Sequence, residues 1–179
     1  LLERKPIVLD NNKISTQIKG KTVMITGGAG SIGSEIVRQV INFSPYKIII
    51  LDQAESPLHS LHLEVSEVSN EVKIRTVLAD IKDYNALESV FEKYKPDFVY
   101  HAAAYKHVPL MEENPSQAIY TNVIGTRNLA DLSSKYLIEK FVLISTDKAV
   151  NPSSVMGASK RIAEKYVQSL NYHLINSKK

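Results

Sequence analysis

Short runs of apolar, mostly β-branched residues alternate with amphipathic helical patterns along the chain, and this alternation limits the fold more than any other feature. Five such runs are present, at residues 21–26, 47–52, 72–78, 97–101 and 140–145. A segment with apolar side chains three or four residues apart lies between or after them, as in helices that cover a sheet. Alternating strands and helices form parallel sheets with right-handed crossovers. We therefore predict an α/β fold: a doubly wound parallel sheet in three α/β/α layers.

Length and composition limit the number of domains. The chain has 179 residues, of which 44% are hydrophobic, and this suffices for one domain with a proper core. We expect an extended lead-in over residues 1–20, where Pro6 and Gly20 disfavour regular structure, and a single domain over residues 21–179. The chain begins with Leu1 rather than Met, so we expect it to be part of a longer protein.

Charge and residue types argue against several classes of partner. The 22 basic and 19 acidic side chains give a net charge of +3, which is too mild to indicate nucleic-acid binding. Cys is absent, which excludes a disulfide framework or a Cys-based metal site and fits a reducing, cytoplasmic compartment. No apolar run approaches the roughly 20 residues needed to cross a bilayer. We expect no nucleic acid, no metal and no membrane contact for this chain.

Helix signals in the second half predict two long helices. Asn114 is a candidate N-cap and Pro115 suits the first helical position, so one helix is expected to reach about Tyr136. The other is expected to begin at Ser153 or Ser154.

A glycine-rich turn joins the first strand to the first helix. Gly27 permits the tight turn, Gly30 lets the backbone approach a pyrophosphate, and Gly33 allows the helix to pack closely on the sheet. The helix then begins at Ser31 and Ile32, where free N–H groups attract phosphates. In a doubly wound sheet this turn predicts a Rossmann fold that binds a dinucleotide.

Acidic residues after the second and third strands refine this prediction. Asp52 lies about 20 residues beyond the glycine turn, where an acid binds the adenosine ribose hydroxyls. An acid here favours NAD over NADP, because it repels a 2′-phosphate. Asp80 and Ile81 are expected at the adenine edge, although Asp80 is equally well read as a helix cap close to Asp83.

Several segments in their order along the chain resemble the extended short-chain dehydrogenase/reductase family. They are TGGAGSIG at 26–33, ADI at 79–81, HAAA at 101–104 and ISTDKAVNPSSVMGASK at 144–160. The last is the most specific and resembles the polysaccharide-biosynthesis nucleotide-sugar 4,6-dehydratases that act on UDP-N-acetylglucosamine and related sugars. AYKHVPLMEENP at 104–115 and TNVIGTRN at 121–128 support this, and LLERKPIVLD at 1–10 resembles the large, membrane-anchored members.

The resemblance implies a reaction without net redox. A bound NAD or NADP takes hydride from C4 of the sugar, water is lost across C5 and C6, and hydride returns to C6. It implies a UDP-sugar substrate, a role in bacterial capsule or O-antigen synthesis, and a parent protein on the cytoplasmic face of the inner membrane. The implied cofactor-binding residues are Gly27, Gly30, Ser31, Ile32, Gly33, Asp52, Asp80, Ile81, Ala102, Ala103, Ala104, Lys106, Asn122 and Lys160.

The resemblance also implies catalytic roles. Thr146 matches the residue that bonds the reacting hydroxyl, and Asp147 matches the general acid for the C6 hydroxyl. Lys148 matches the base at C5, and Lys160 matches the lysine at the nicotinamide ribose. An elimination needs such a pair, since one proton is taken and one is given.

Met156 departs from the pattern of most of the family, which has Tyr four residues before the lysine. A thioether cannot exchange a proton, so the usual phenolate base is missing. The large membrane-anchored members carry Met here, which supports the subgroup. The base for C4 oxidation remains open among Lys160, Thr146, Lys106 and Tyr105.

Two further positions are interpreted structurally. His101 is expected to be a structural rather than a catalytic residue. Asn122 is expected to bond the backbone inside the long helix and to bulge it toward the cofactor.

Other functions and assemblies stay open. A nucleotide-sugar C4 epimerase shares the fold but needs no acid–base pair, and an inactive cofactor-binding regulatory module would explain Met156. We expect this chain alone to bind cofactor but to turn over substrate poorly. The helices at 114–136 and 156–172 could pair two copies through small residues such as Ala130 and Ala163, or could simply cover the sheet.

Overall fold

Five parallel strands form the centre of the molecule. The computed structural model describes residues 11–68 and 72–176. The strands are β1 (Thr22–Thr26), β2 (Lys47–Asp52), β3 (Lys73–Leu78), β4 (Phe98–His101) and β5 (Lys140–Leu143). They pair in the order β3-β2-β1-β4-β5, and every pairing is parallel. The predicted doubly wound parallel sheet is confirmed.

Helices follow the strands and cover both faces. They are α1 (Asn11–Ile18), α2 (Ser31–Ile41), α3 (Glu55–Val68), α4 (Tyr84–Tyr94), α5 (Val108–Glu113), α6 (Pro115–Ala118), α7 (Thr126–Lys135) and α8 (Val155–Asn176). A π-helical segment (Ile119–Gly125) joins α6 to α7, and a 3-10 turn (Asp147–Ala149) follows β5.

Strand β1 shows why the strands are apolar on both sides. Its Val23 and Ile25 pack with α2 and α3 in one cluster, whereas Met24 packs with α4 and α7 on the opposite face. All three side chains are fully buried. A sheet covered on both faces needs such continuous apolar strands, which confirms the three-layer architecture.

The lead-in is not extended over the part that can be described, so that prediction is wrong there. Residues 11–18 form α1, and residues 1–10 lie outside the described residues. Ile18 is buried and Ile14 packs beside it on the sheet. The spacing of these two residues is that of one helix face, and burying that face stabilises a helix that the polar residues alone would not predict.

The long helix also differs from its prediction. Pro115 occupies the first helical position as expected, and the helical path ends at Lys135. Residues 119–125 are π-helical instead of α-helical, however. The side chain of Asn114 makes no capping bond at the N-terminus and donates to the carbonyl oxygen of Leu110 at 3.0 Å.

The small residues in the two long helices belong to the interior of this chain. Ala130 and Ala163 are buried within the fold, where they let the helices lie close together. They therefore fit the alternative in which the helices cover the sheet, and they leave the pairing of two copies without its proposed contact residues.

The glycine turn is set by close backbone contacts. A Cβ on Gly33 would overlap the carbonyl oxygen of Gly27 and lie 2.7 Å from its carbonyl carbon. A Cβ on Gly27 would lie 2.7 Å from the carbonyl carbon of Ala102, and its φ of 66° is in the left-handed region. The start of α2 and the loop after β4 thus both press on this turn.

We predict that Gly33→Ala destabilises the fold by about 1–3 kcal/mol, because its new methyl group meets backbone that cannot move aside. Urea unfolding measures the change. Ser34→Ala, a half-buried position of the same helix turn whose hydroxyl makes only exposed hydrogen bonds, is the matched control and should shift stability by less than about 0.5 kcal/mol. Equal stability of Gly33→Ala and the parent chain would contradict the close packing described above.

Candidate functional site

A cleft of about 240 Å³ opens at the carboxyl ends of the strands, between the glycine turn and the loops after β2, β3 and β4. Ligands of doubly wound sheets bind at this edge. Among the predicted cofactor-binding positions, those lining the cleft are Gly27, Gly30, Asp52, Asp80, Ile81, Ala102, Ala103 and Ala104. Those that do not line it are Ser31, Ile32, Gly33, Lys106, Asn122 and Lys160.

Most of the residues outside the cleft have a clear place around its glycine turn. Ser31 and Ile32 are exposed where α2 begins, and Ile32 keeps 56% of its surface in solvent. Gly33 is buried beneath the turn. Lys106 places its Nζ 3.4 Å from the Ser31 hydroxyl, which joins the loop after β4 to the first turn of α2.

Asp52 holds the cleft together as well as lining it. Its carboxylate accepts hydrogen bonds from the backbone N–H of Ala29 at 3.0 Å and of Ala54 at 2.9 Å. One bond fixes the glycine turn and the other fixes the loop that leads into α3. The same carboxylate faces the cleft, where it can accept from a ligand hydroxyl.

Asp80 is the second carboxylate of the cleft, but its charge is compensated. It lies 3.2 Å from the Lys82 ammonium and also accepts from the Lys82 backbone N–H at 2.9 Å. The cap of α4 is Asp83, which accepts from Ala86 N–H at 3.0 Å, so capping does not explain Asp80. No cation among the described residues forms an ion pair with Asp52, which makes it the uncompensated carboxylate of the cleft.

Thr121 is a cleft residue that sequence reasoning missed. It is 5% exposed, lines the cleft, and its hydroxyl oxygen has no hydrogen-bond partner in the described part of the chain. A buried hydroxyl without a partner is uncommon and points to a missing ligand. Only Asn122 was singled out in this segment, since a regular helix does not reveal which neighbour faces the cleft.

Asn122 lies at the centre of a buried polar contact between three segments. Its side chain accepts from the Tyr105 N–H at 2.8 Å and donates to the Tyr105 carbonyl at 3.0 Å and the Ser159 hydroxyl at 2.9 Å. The expectation that it bonds its own helix is therefore wrong. It instead ties the π-helical segment to the cleft wall and to α8.

His101 connects β1, β4 and the start of α7. It is fully buried, with Nδ1 2.7 Å from the Thr26 hydroxyl and Nε2 2.9 Å from the Thr126 hydroxyl. The Thr126 hydroxyl donates its hydrogen to the Asn122 carbonyl at 2.7 Å, so it can only accept from His101. Nε2 therefore carries the proton, and Thr26 donates to Nδ1. Burial, aided by the Lys160 charge, lowers the pKa of His101 to about 3.

The predicted acid–base pair, Asp147 and Lys148, lies on the 3-10 turn after β5. Thr146 donates to the Asp147 carboxylate at 2.9 Å, and Lys148 places its backbone N–H 2.9 Å and its ammonium 3.6 Å from the same oxygen. The Thr146 hydrogen bond, more than the Lys148 charge, lowers the pKa of Asp147 below its usual value. The Asp147 side chain is 89% exposed, so this carboxylate faces open solvent.

Lys160 and Met156 are buried on α8. Lys160 is 5% exposed and donates to the Ile144 carbonyl at 2.7 Å, and burial lowers the pKa of its ammonium. Met156 is 3% exposed and packs with Met111 and Ala118 in a small apolar cluster. The Met156 side chain thus fills a core position and does not line the cleft.

Gly157 lets α8, which carries Met156 and Lys160, lie directly against the 3-10 turn that carries Asp147 and Lys148. A Cβ at this position would overlap the carbonyl oxygen of Lys148, so α8 touches the backbone of the 3-10 turn. The cleft around the glycine turn is one part of the site. The polar residues of the 3-10 turn and of α8 form a second, distinct part. Asn122 links them, because it bonds both Tyr105 in the cleft wall and Ser159 on α8.

Two negative findings apply to residues 11–68 and 72–176. No group of His, Asp or Glu side chains is arranged to hold a metal ion. No helix in these ranges is long and apolar enough to cross a membrane.

The fold and cleft define a Rossmann domain of the short-chain dehydrogenase/reductase class. The sequence profile of one family, the polysaccharide biosynthesis proteins, matches residues 23–179, and the chain belongs to that family. Capsular polysaccharide biosynthesis protein CapD of Staphylococcus aureus is 51% identical over 172 residues, covering 96% of this chain and 29% of CapD. Probable polysaccharide biosynthesis protein EpsC of Bacillus subtilis is 50% identical over 171 residues, covering 95% of this chain and 29% of EpsC.

Enzymes with named reactions are more distant. UDP-N-acetylglucosamine 4,6-dehydratase (inverting) of Campylobacter jejuni is 37% identical over 153 residues, covering 85% of this chain and 44% of the enzyme. The X-ray structure of Pen from Bacillus thuringiensis matches with a TM-score of 0.80 and 33% identity, over 87% of this chain and 46% of Pen. The structure of UDP-glucose 4-epimerase of Thermus thermophilus in complex with NAD matches with a TM-score of 0.70 and 25% identity, over 85% of this chain and 51% of the epimerase. The chain spans about half or less of the length of these proteins.

We predict that His101 makes the fold less stable in mild acid. Because its pKa is about 3 in the fold and about 6.5 in the unfolded chain, the unfolded state binds more protons between these values. Stability should therefore fall as pH drops below about 6.5, by about 2 kcal/mol between pH 7 and pH 5 from this residue. Urea unfolding of His101→Gln should lack this part of the pH dependence. His59→Gln, on the exposed side of α3, should retain it, and identical pH profiles for all three chains would refute the assignment.

Proposed function

We propose that this chain is the dinucleotide-binding part of a nucleotide-sugar 4,6-dehydratase that acts on a UDP-N-acetylglucosamine-type sugar in bacterial capsule or O-antigen synthesis. The observation that carries the proposal is the Asp147–Lys148 pair on the turn after β5, directly against α8. Oxidation and reduction at a sugar carbon need no such pair, whereas loss of water needs one group to take a proton and one to give it.

The cleft fits a nicotinamide dinucleotide. Side chains on Gly27 or Gly33 would clash with backbone at the turn where such folds bind a pyrophosphate, and Asp52 lines the cleft in which we propose that the adenosine ribose binds. Thr121 offers an unpartnered hydroxyl inside the cleft. The bound cofactor supplies the transient transfer of hydride from C4. The relative solved with NAD shares this fold, which supports the same ligand class here.

Thr146 couples substrate binding to the acid. General acid catalysis requires a protonated Asp147, but the hydrogen bond from Thr146 lowers the pKa of this carboxyl in the present arrangement. When Thr146 donates instead to the sugar hydroxyl, that bond is lost and burial by the sugar disfavours the charged form. Both changes raise the pKa of Asp147 toward the range in which it can protonate the leaving C6 hydroxyl. Transfer of one proton from the Lys148 ammonium to the Asp147 carboxylate would leave an acid and a base, and the neutral Lys148 amine then takes the C5 proton.

Lys160 is our choice for the base that accepts the C4 hydroxyl proton. Met156 has no exchangeable proton and is enclosed by apolar side chains. Lys106 is placed beside Ser31 at the start of α2. Lys160 is held by Ile144 next to the 3-10 turn, and burial lowers the pKa of its ammonium, which favours the neutral amine that a base requires.

The test uses the full-length protein that contains this chain, with UDP-N-acetylglucosamine as substrate. Mass spectrometry should show a product that has lost one water, and Asp147→Asn and Lys148→Met should each slow its formation at least about 100-fold. Lys165→Met, an exposed change on α8, is the control and should leave the rate unchanged. This chain alone should form product poorly or not at all. A stereoisomer of unchanged mass would instead favour a C4 epimerase, and no turnover at all a regulatory module.

Asp52 is proposed to select NAD over NADP. We predict that Asp52→Asn raises the affinity for NADP relative to NAD by about tenfold, because an uncompensated charge facing the ribose is removed. Calorimetric titration of the chain with both cofactors measures this ratio. Asp80→Asn removes a carboxylate from the same cleft that Lys82 already neutralises, and should change the ratio little. Equal ratios for all three chains would refute the role of Asp52.

Partners and location follow from this proposal. The substrate is a UDP-sugar, and a second copy of the chain is a further candidate partner. We propose that the parent protein works at the cytoplasmic face of the bacterial inner membrane, as the resemblance to large, membrane-anchored dehydratases implies.

A further inference from the structure

The edge of the sheet opposite the cleft carries a group of lysines and tyrosines. All strands are parallel, so their amino ends lie together, and β2 and β3 both begin with a lysine, Lys47 and Lys73, in register with each other. Helix α4 runs back to this edge and ends at Lys93 and Tyr94. Strand β2 separates this edge from Asp52 in the cleft by about 17 Å, from six residues at the usual rise per residue.

Two tyrosine rings hold the three lysine ammonium groups close together. The Lys73 ammonium lies 4.5 Å from the centre of the Tyr46 ring and donates to its hydroxyl at 2.9 Å. Lys47 lies between two rings, 5.3 Å from Tyr46 and 5.9 Å from Tyr94. Lys93 lies 5.1 Å from Tyr94. We call these five residues the lysine–tyrosine array.

The three lysines of the array have no carboxylate partner in residues 11–68 and 72–176. Among the described residues, none of Lys47, Lys73 and Lys93 forms an ion pair, although each would gain from one. Two carboxylates at the amino ends of neighbouring strands have other partners: Asp97 accepts from the Thr22 N–H at 2.7 Å, and Glu139 pairs with Lys21. The charge of the array is therefore free to attract an external anion. Its effect on Tyr46 is visible, since Lys73 and then Lys47 lower the pKa of that phenol.

We propose that the lysine–tyrosine array is a docking surface for an anionic lipid bilayer, although the sequence alone led us to expect no membrane contact for this chain. The array lies at the amino ends of two strands and at the end of α4, whereas the cleft lies at the opposite edge of the sheet. A bilayer could therefore contact the array without covering the cleft. Its cations are lysines only, which act as diffuse point charges and lack the planar fork with which Arg grips single phosphates. Tyrosine, with an apolar ring and a polar tip, is enriched at membrane–water interfaces, and Tyr46 is 49% exposed.

This inference does not depend on the reaction proposed above. It concerns how the domain is oriented: array toward the headgroups, cleft toward the aqueous phase, where a water-soluble ligand can enter. Nucleic acid is the alternative polyanion, because non-specific binding needs only cations that contact phosphates, and the test below separates it from a bilayer.

The test is co-sedimentation of the chain with vesicles of phosphatidylcholine alone and with added phosphatidylglycerol. We expect binding only to the anionic vesicles, and loss of this binding at high salt. Lys73→Gln with Lys93→Gln should weaken it roughly 30-fold, since each lysine near an anionic surface contributes roughly fivefold.

The control variant removes the same charge elsewhere. Arg127→Gln with Lys165→Gln, two exposed positions on α7 and α8, should stay within about a factor of three of the parent chain, because these side chains lie away from the array. Unfolding curves of both variants verify that they fold. Equal loss in the two variants, or equal binding to neutral vesicles, would overturn the proposal. Retention of a random oligonucleotide without vesicle binding would assign the array to another polyanion and would overturn it as well.

Discussion

Three backbone segments meet at the glycine turn with no room for a side chain, and the site depends on this contact. Gly27 is pressed by the loop after β4 on one side and by Gly33 at the start of α2 on the other. The Asp52 carboxylate then bonds Ala29 N–H and secures the turn to the end of β2. Because α2 starts at a fixed height above the sheet, its free N–H groups face a defined point. The cleft is therefore formed by backbone before any ligand arrives.

The sheet could be predicted from local patterns, because each short apolar run favours burial whatever the rest of the chain does. The turn could also be predicted locally, from the spacing of its glycines. The place of Asp52 in the cleft was predicted from its distance along the chain from this turn. What could not be predicted depends on distant contacts. Helix α1 exists because Ile14 and Ile18 reach the sheet. Thr121 faces the cleft because Asn122 is held by Tyr105 and Ser159.

The predicted catalytic residues show a different limit. Asp147 and Lys148 were singled out from a motif, and their roles remain proposals, but their present setting is informative. Asp147 is open to solvent and its negative form is favoured by Thr146. Under the proposed function, a bound sugar would have to rearrange this pair before elimination could occur. This fits a domain whose relatives extend well beyond the matched part.

The hydrogen bonds through His101 run in one direction, from Thr26 to the ring, to Thr126 and on to the Asn122 carbonyl. Reversing any one of them would break the next bond along the chain, so these hydrogen bonds favour a single arrangement. It joins the first strand to the π-helical segment, and Asn122 carries it on to α8. These elements lie far apart in sequence but are joined by one continuous series of buried hydrogen bonds. They should accordingly open and close as one cooperative unit, so that the helix bearing Lys160 cannot fray from the sheet independently.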